Sequence, residues 1–248
     1  FRVSGPGNDI AKDVEPEYIS VSSDSRTAWV TLQENNAIAV IDIATKTITK
    51  ILPLGFKDYN VAAHAIDPSD KEGGINFNPW KVYGTYMPDA VASLNYNGIP
   101  YLFTANEGDA REYTGFSELK RVKDIALDAT AFPDAVTLKQ DIQLGRLNIT
   151  TTLGDADGDG DFDALYGFGA RSFSVWNGNT GDLVYDSRNE LDVKAKDLGI
   201  YDDNRSDDKG TEPEAITLGK VGTKTIAFVG MERADAIAVY DVTNPTAP

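Results

Sequence analysis

The chain has 248 residues, a formal net charge of −16, one histidine and no cysteine. Such a negative field repels nucleic acid and anionic membrane and attracts cations. Disulfides, thiolate metal sites and a zinc centre built on several histidines are excluded, and no apolar run is long enough for a transmembrane helix.

The first unit runs from Glu15 to Leu54. Its segments Glu15–Ser22, Thr27–Leu32, Ala37–Ile43 and Thr47–Leu52 are rich in β-branched residues and separated by polar turns. Four short strands in about forty residues make one propeller blade. Residues 55–86, with His64 and Asp67, break the rhythm. A partial copy follows at 87–111, with strands at Met87–Ser93 and Pro100–Ala105. Residues 112–146 are polar and predict an excursion with a short helix; long loops of this kind are often functional. Strands resume at Leu147–Leu153, Ala164–Phe168, Ser172–Trp176 and Leu183–Asp186. Near the end, Glu212-Pro-Glu214 and Ala236-Ile-Ala-Val-Tyr-Asp241 repeat Glu15-Pro-Glu17 and Ala37-Ile-Ala-Val-Ile-Asp42.

The pattern predicts an all-β fold. It reads as a β-propeller with blades at about 15–54, 87–111, 147–187 and 212–243 and insertions at 55–86 and 112–146. A propeller hides its edge strands by joining its ends. The expectation is therefore part of a larger or incomplete propeller, with the remainder as a partner.

Between two of the predicted strands lies Asp155-Ala-Asp-Gly-Asp-Gly-Asp-Phe-Asp163. Asp155, Asp157, Asp159, Asp161 and Asp163 alternate with other residues, and glycines allow the loop to turn. Carboxylates this close repel one another without a cation, and calcium takes six to eight oxygens from such a loop. Calcium is the predicted cofactor. The loop is not an EF-hand, since the twelfth position is Tyr166 rather than a bidentate glutamate and the flanks read as strands. The stretch Gly154–Phe168 resembles the FG-GAP repeat of integrin-type propellers, in which calcium ties two strands together.

Several longer stretches carry a wider resemblance. They are Glu15-Pro-Glu-Tyr-Ile19, Thr31-Leu-Gln-Glu-Asn-Asn36, His64-Ala-Ile-Asp-Pro-Ser-Asp-Lys71, Ala105-Asn-Glu-Gly-Asp-Ala-Arg111, Phe168-Gly-Ala-Arg-Ser-Phe-Ser174 and Arg205-Ser-Asp-Asp-Lys209. Together they resemble the choice-of-anchor I family, which includes mesenchyme-specific cell-surface glycoproteins and secreted bacterial proteins, some labelled alkaline phosphatase. The resemblance implies a secreted or surface-anchored β-propeller, and an extracellular or cell-surface location.

Propeller geometry sorts the remaining polar residues. Entries to first strands and turns between second and third strands open on one face. That face is predicted to gather Glu15, Glu17, Asp89, Glu212 and Glu214 with Glu34, Asn35, Asn106, Glu107, Asp109, Arg111, Arg171, Glu232 and Arg233. The candidate ligand-binding set is Glu17, Glu34, Asp89, Glu107, Asp109, Arg111, Arg171, Glu214, Glu232 and Arg233. Converging carboxylates need a cation or protons, while the arginines suit a phosphate-bearing or carboxylate ligand. The segment Arg205–Lys209 is placed to fold over the same face and supply Asp207 or Lys209. No Gly-x-Ser-x-Gly, phosphate-cradling or dinucleotide motif occurs. The leading expectation is a secreted calcium-binding module for a surface or matrix partner. The alternative is a calcium-dependent phosphomonoesterase, with arginine holding the phosphate.

Overall fold

The computed structural model describes residues 1–3 and 9–248. The chain is mostly β, with few and short helices. Its strands form several sheets, chiefly antiparallel, and none closes on itself among the described residues.

The first sheet is a meander of Pro16–Val21, Thr27–Leu32, Ala37–Asp42 and Thr47–Pro53, in that order. Its turns use local chemistry. Ser22 Oγ accepts from the Thr27 amide at 2.9 Å, and Asp42 Oδ1 accepts from the Thr45 amide at 2.8 Å. The third sheet holds Pro213–Val221, Lys224–Met231 and Ala236–Asp241.

The second sheet departs from the predicted units. It joins Ala90–Tyr96 and Ile99–Asn106 to Ser172–Asn177 and Leu183–Asp186, so strands assigned to the units 87–111 and 147–187 share one sheet. The register runs from Ser172↔Asn106 to Asn177↔Tyr101. The cause is burial. Leu102 and Phe103 point to opposite faces and neither has accessible surface, so this strand needs a hydrogen-bonding neighbour on each edge. Ala90–Tyr96 supplies one, and the other comes from far along the chain.

The three sheets stand side by side, with Ala90–Tyr96 lying against both Pro16–Val21 and Pro213–Val221. Ser20 Oγ donates to Ser93 Oγ at 2.7 Å, and Thr31 Oγ1 donates to the Asp89 carbonyl at 2.8 Å. Trp29, Ile38, Leu102 and Trp176 fill the space between the first and second sheets. Phe103, Phe173, Val175, Ile216 and Val229 fill that between the second and third.

The two predicted excursions are not separate decorations. With the acidic segment they build a further sheet, ordered Leu119–Arg121, Asn148–Thr150, Tyr166–Gly167, Tyr83–Thr85 and Phe56–Asp58. These very short strands enclose their own core, with Tyr59, Ile66, Val82, Phe132, Leu144, Leu147, Ile149 and Leu165. The predicted short helix is Ala135–Leu138. No helix of the described residues is long and apolar enough to cross a membrane.

This irregular body joins the regular sheets through buried charges. Arg111 pairs with Asp13 at 2.5 Å, Lys57 with Asp186 at 2.8 Å, and Arg2 with Glu118. Gly108 and Gly169 mark where the chain leaves and re-enters the second sheet. Their φ values are 85° and 74°, and a Cβ on Gly169 would collide with the Glu107 carbonyl.

Candidate functional site

The second-strand ends of the three sheets lie toward one face. Gln33 and Glu34 follow Thr27–Leu32, Glu107 follows Ile99–Asn106, and Glu232 and Arg233 follow Lys224–Met231. Glu17, Asp89 and Glu214 stand at or near the starts of the first strands. The predicted residues Glu17, Asp89, Glu107, Glu214, Glu232 and Arg233 are thereby brought together, with Asp109 close enough to act on Lys209.

The electrostatics report the crowding. Burial, and then Glu107, Glu214 and Glu17, push the Asp89 carboxyl up to about 6. Burial, with Glu232 and Glu107 behind it, also raises Glu214. Glu34 lies buried to one side, where burial, and after it Glu15 and Glu17, push its carboxyl up to about 8.

The segment at Arg205–Lys209 supplies cations. Lys209 Nζ lies 2.6 Å from Glu107 Oε1 and 3.4 Å from Glu212 Oε2. Arg205 Nε donates to Glu212 Oε1 at 2.6 Å. Arg233 Nε is 3.5 Å from Glu212 Oε2 and 3.4 Å from Glu232 Oε2. Asp207 faces elsewhere and pairs with Arg121 at 2.6 Å and Arg146 at 3.0 Å. Glu212 is fully buried with φ 50°, a left-handed backbone unusual for glutamate. One carboxylate oxygen each of Glu107, Glu212 and Glu232 lies within 4.8 Å of the others. The motif Arg-Ser-Asp-Asp-Lys signals this cationic segment in the sequence. Nothing local signals Gln33, whose Nε2 donates to Glu107 Oε2 at 3.0 Å.

The other two predicted arginines are held inside the protein. Arg171 is only 2% exposed, and it donates to the carbonyls of Asp67 at 3.0 Å, Ser206 at 2.7 Å and Asp208 at 3.0 Å. Arg111 is buried against Asp13 and Glu15. Both brace the joint between the sheets and the irregular body. His64 accompanies them on that side, its Nδ1 2.9 Å from the Asp58 carbonyl.

The acidic loop lies at the surface and bridges two short strands paired at Ile149↔Gly167. One oxygen each of Asp155, Asp157 and Asp159 lies within 4.8 Å of the others. Oxygens sharing one calcium at 2.3–2.6 Å are at most about 5 Å apart, so this donor set fits that ion. Backbone amides fold the loop inward: Gly158 and Gly160 donate to Asp155 at 2.7 and 3.1 Å, and Ala156 donates to Asp163 at 2.8 Å. Gly158 and Gly160 take φ values of 79° and 99°. Asp161 stands beside this trio, its carboxyl raised by desolvation and then by Asp159, Asp128, Asp163 and Asp157. Asp128, distant in sequence, reaches the loop because its amide donates to the Phe162 carbonyl at 3.1 Å.

The description of the choice-of-anchor I domain matches residues 1–245. The chain belongs to the choice-of-anchor I family. This choice-of-anchor I chain is 34% identical to gigasin-3a of Magallana gigas over 119 residues, covering 42% of the chain and 42% of that protein. It is 25% identical to a mesenchyme-specific cell surface glycoprotein of Strongylocentrotus purpuratus, covering 97% of the chain and 36% of that protein. The chain thus spans about two fifths of each relative's length. Among solved structures, Kuenenia stuttgartiensis hydrazine synthase aligns with 92% of the chain and 84% of its own at 14% identity. The TM-score of that alignment is 0.19.

Proposed function

We propose that this choice-of-anchor I chain is a sector of a β-propeller that works as a binding module at a cell surface or in an extracellular matrix, with calcium holding residues 155–163. The observation that carries the reading is the trio of Asp155, Asp157 and Asp159, whose oxygens lie within 4.8 Å of one another between two paired strands. A bound cation there stabilises the folded state by linkage, because the unfolded chain scatters the same carboxylates. Three adjacent sheets with their first strands side by side support the propeller. The name of the Strongylocentrotus purpuratus relative supports the surface location. The face bearing Glu107 and Glu232 is the ligand face in this reading.

The phosphomonoesterase alternative draws less support. It needs arginines free to grip phosphate, and Arg111 and Arg171 spend their donors inside the protein. Thermal unfolding with calcium chloride or with chelator, with turnover of p-nitrophenyl phosphate followed in the same samples, decides the matter. The expected result is a melting temperature several degrees higher in calcium, with the rise reduced in Asp157→Ala, and no turnover. A melting temperature indifferent to calcium removes the calcium reading, and turnover lost in Arg233→Ala replaces the binding module by the enzyme.

A further inference from the structure

At the ligand face, among the described residues, Glu17, Asp89, Glu107, Glu212, Glu214 and Glu232 gather around the cations Arg205, Lys209 and Arg233. Carboxylates outnumber cations where burial weakens the screening by water.

One carboxylate at this mouth stands out. Glu212 has no accessible surface, and its Oε1 is satisfied by Arg205. Its Oε2 accepts no hydrogen bond. That oxygen points into the cluster, 3.4 Å from the Lys209 ammonium that holds Glu107 and 3.5 Å from the Arg233 Nε that holds Glu232. The two cations offset its charge at those distances but donate it no hydrogen bond, and a buried oxygen without one gains from a ligand that it can coordinate.

We propose that Glu107, Glu212 and Glu232 form a second divalent-cation site, distinct from the loop at 155–163, and that the Lys209 ammonium competes with the cation for it. One oxygen of each glutamate lies within 4.8 Å of the others, the span that a single hard cation bridges. The donors are all carboxylates, which suits calcium or magnesium rather than a softer metal. Each glutamate comes from a different part of the framework: the end of a second-sheet strand, the entry to the third sheet, and the turn after Lys224–Met231. A cation here would clamp the second and third sheets. Lysine is a compact charge on a flexible stem, so Lys209 can swing toward solvent when a dication enters. The site therefore exchanges a tethered monovalent ion for a free divalent one.

The test is calorimetric titration with calcium chloride and separately with magnesium chloride. It uses the full chain, the loop variant Asp155→Asn/Asp157→Asn/Asp159→Asn, and Glu232→Gln in each background. Glu232 is exposed, so its substitution spares the fold. The expected result is one equivalent of cation bound by the loop variant, weakened at least tenfold by Glu232→Gln and tightened about tenfold by Lys209→Met. No binding by a folded loop variant, or binding indifferent to Glu232→Gln, overturns the site. Affinity not raised by Lys209→Met overturns the competition. If the loop variant fails to fold, the unmodified chain decides: two equivalents falling to one in Glu232→Gln support the site, and an unchanged number rejects it. One equivalent that Glu232→Gln removes and the loop variant retains leaves this site standing while the calcium loop falls.

Discussion

The three regular sheets and the irregular body around the acidic loop solve the same problem differently. The regular sheets have strands long enough to repeat a ladder, as in Pro213–Val221 paired with Lys224–Met231, and they bury Phe103, Phe173, Val175 and Val229 between them. Strands of the body are often two or three residues long, such as Tyr166–Gly167 and Tyr83–Thr85. What the ladder omits there is supplied by side chains bonded to backbone: Lys57 to Ala170 and Arg188, Tyr59 to Gly169, Arg171 to Asp67, Ser206 and Asp208. Where hydrogen-bonded repetition runs short, stability rests on individually indispensable groups.

Several substitutions would break or sharpen this contrast. The largest loss is expected for Arg171→Ala. It frees two buried carbonyls and one half-buried one, and takes from the fully buried Asp192 the cation 3.8 Å away, leaving only the field of Lys57. The expected cost in urea unfolding is about 3–5 kcal/mol, as for removing one partner of a buried ion pair. A loss under 1 kcal/mol would show that the body does not depend on single groups.

Calcium withdrawal comes next. At a hundredfold excess over its dissociation constant a cation adds about 2.7 kcal/mol. Hydrogen exchange should place that gain in the body: in Glu232→Gln, which isolates the loop site, chelation should speed exchange at Ile149 and Gly167 and leave Val229 unchanged. Uniform acceleration through all sheets would dissolve the distinction.

A smaller effect is expected for Glu34→Gln. Burial first, and then Glu15 and Glu17, push the Glu34 carboxyl from 4.5 up to about 8, so the folded state holds the proton more tightly than the unfolded chain. The stability this gives is full below pH 4.5 and is lost as pH rises toward 8. Glu34→Gln should flatten that part of the stability profile in denaturant melts from pH 4 to 9. An unchanged slope would mean that Glu34 ionises freely. The smallest effect belongs to Ile237→Thr, at a strand position 67% exposed. Its change in unfolding free energy should stay within about 0.5 kcal/mol, and a larger loss would show that this face is already covered.

What the sequence discloses follows the same division. In the first sheet, Thr27–Leu32 is read without error, and Ala37–Asp42 and Thr47–Pro53 to within a residue, because period-two alternation and turn chemistry are local signals. Ala236–Asp241 is equally legible through its repeat of Ala37–Asp42. The pairing of Asn106 with Ser172 is not, since no local pattern names a partner that distant. The strands flanking the acidic loop are visible, while Asp128 beside it is not. At the ligand face, strand ends locate Glu107 and Glu232 but do not say which way an arginine turns. Arg171 follows Gly169, whose left-handed backbone lets the chain double back against Glu107, and the arginine goes into the interior.

The junction of Asn106 and Ser172 has a consequence for the order of events during folding. The first and third sheets can zip from neighbouring hairpins, each strand meeting the next within a few residues. The second sheet cannot. Its central rung closes only after residues 107–171 have drawn their own ends together, and that segment must also capture Tyr83–Thr85 in a parallel pairing. Loop closure of this span is a slow, entropically opposed step. The two outer sheets should therefore be native-like while the middle one is still searching, and a cation that gathers Asp155, Asp157 and Asp159 would then act as a catalyst of assembly as well as a staple.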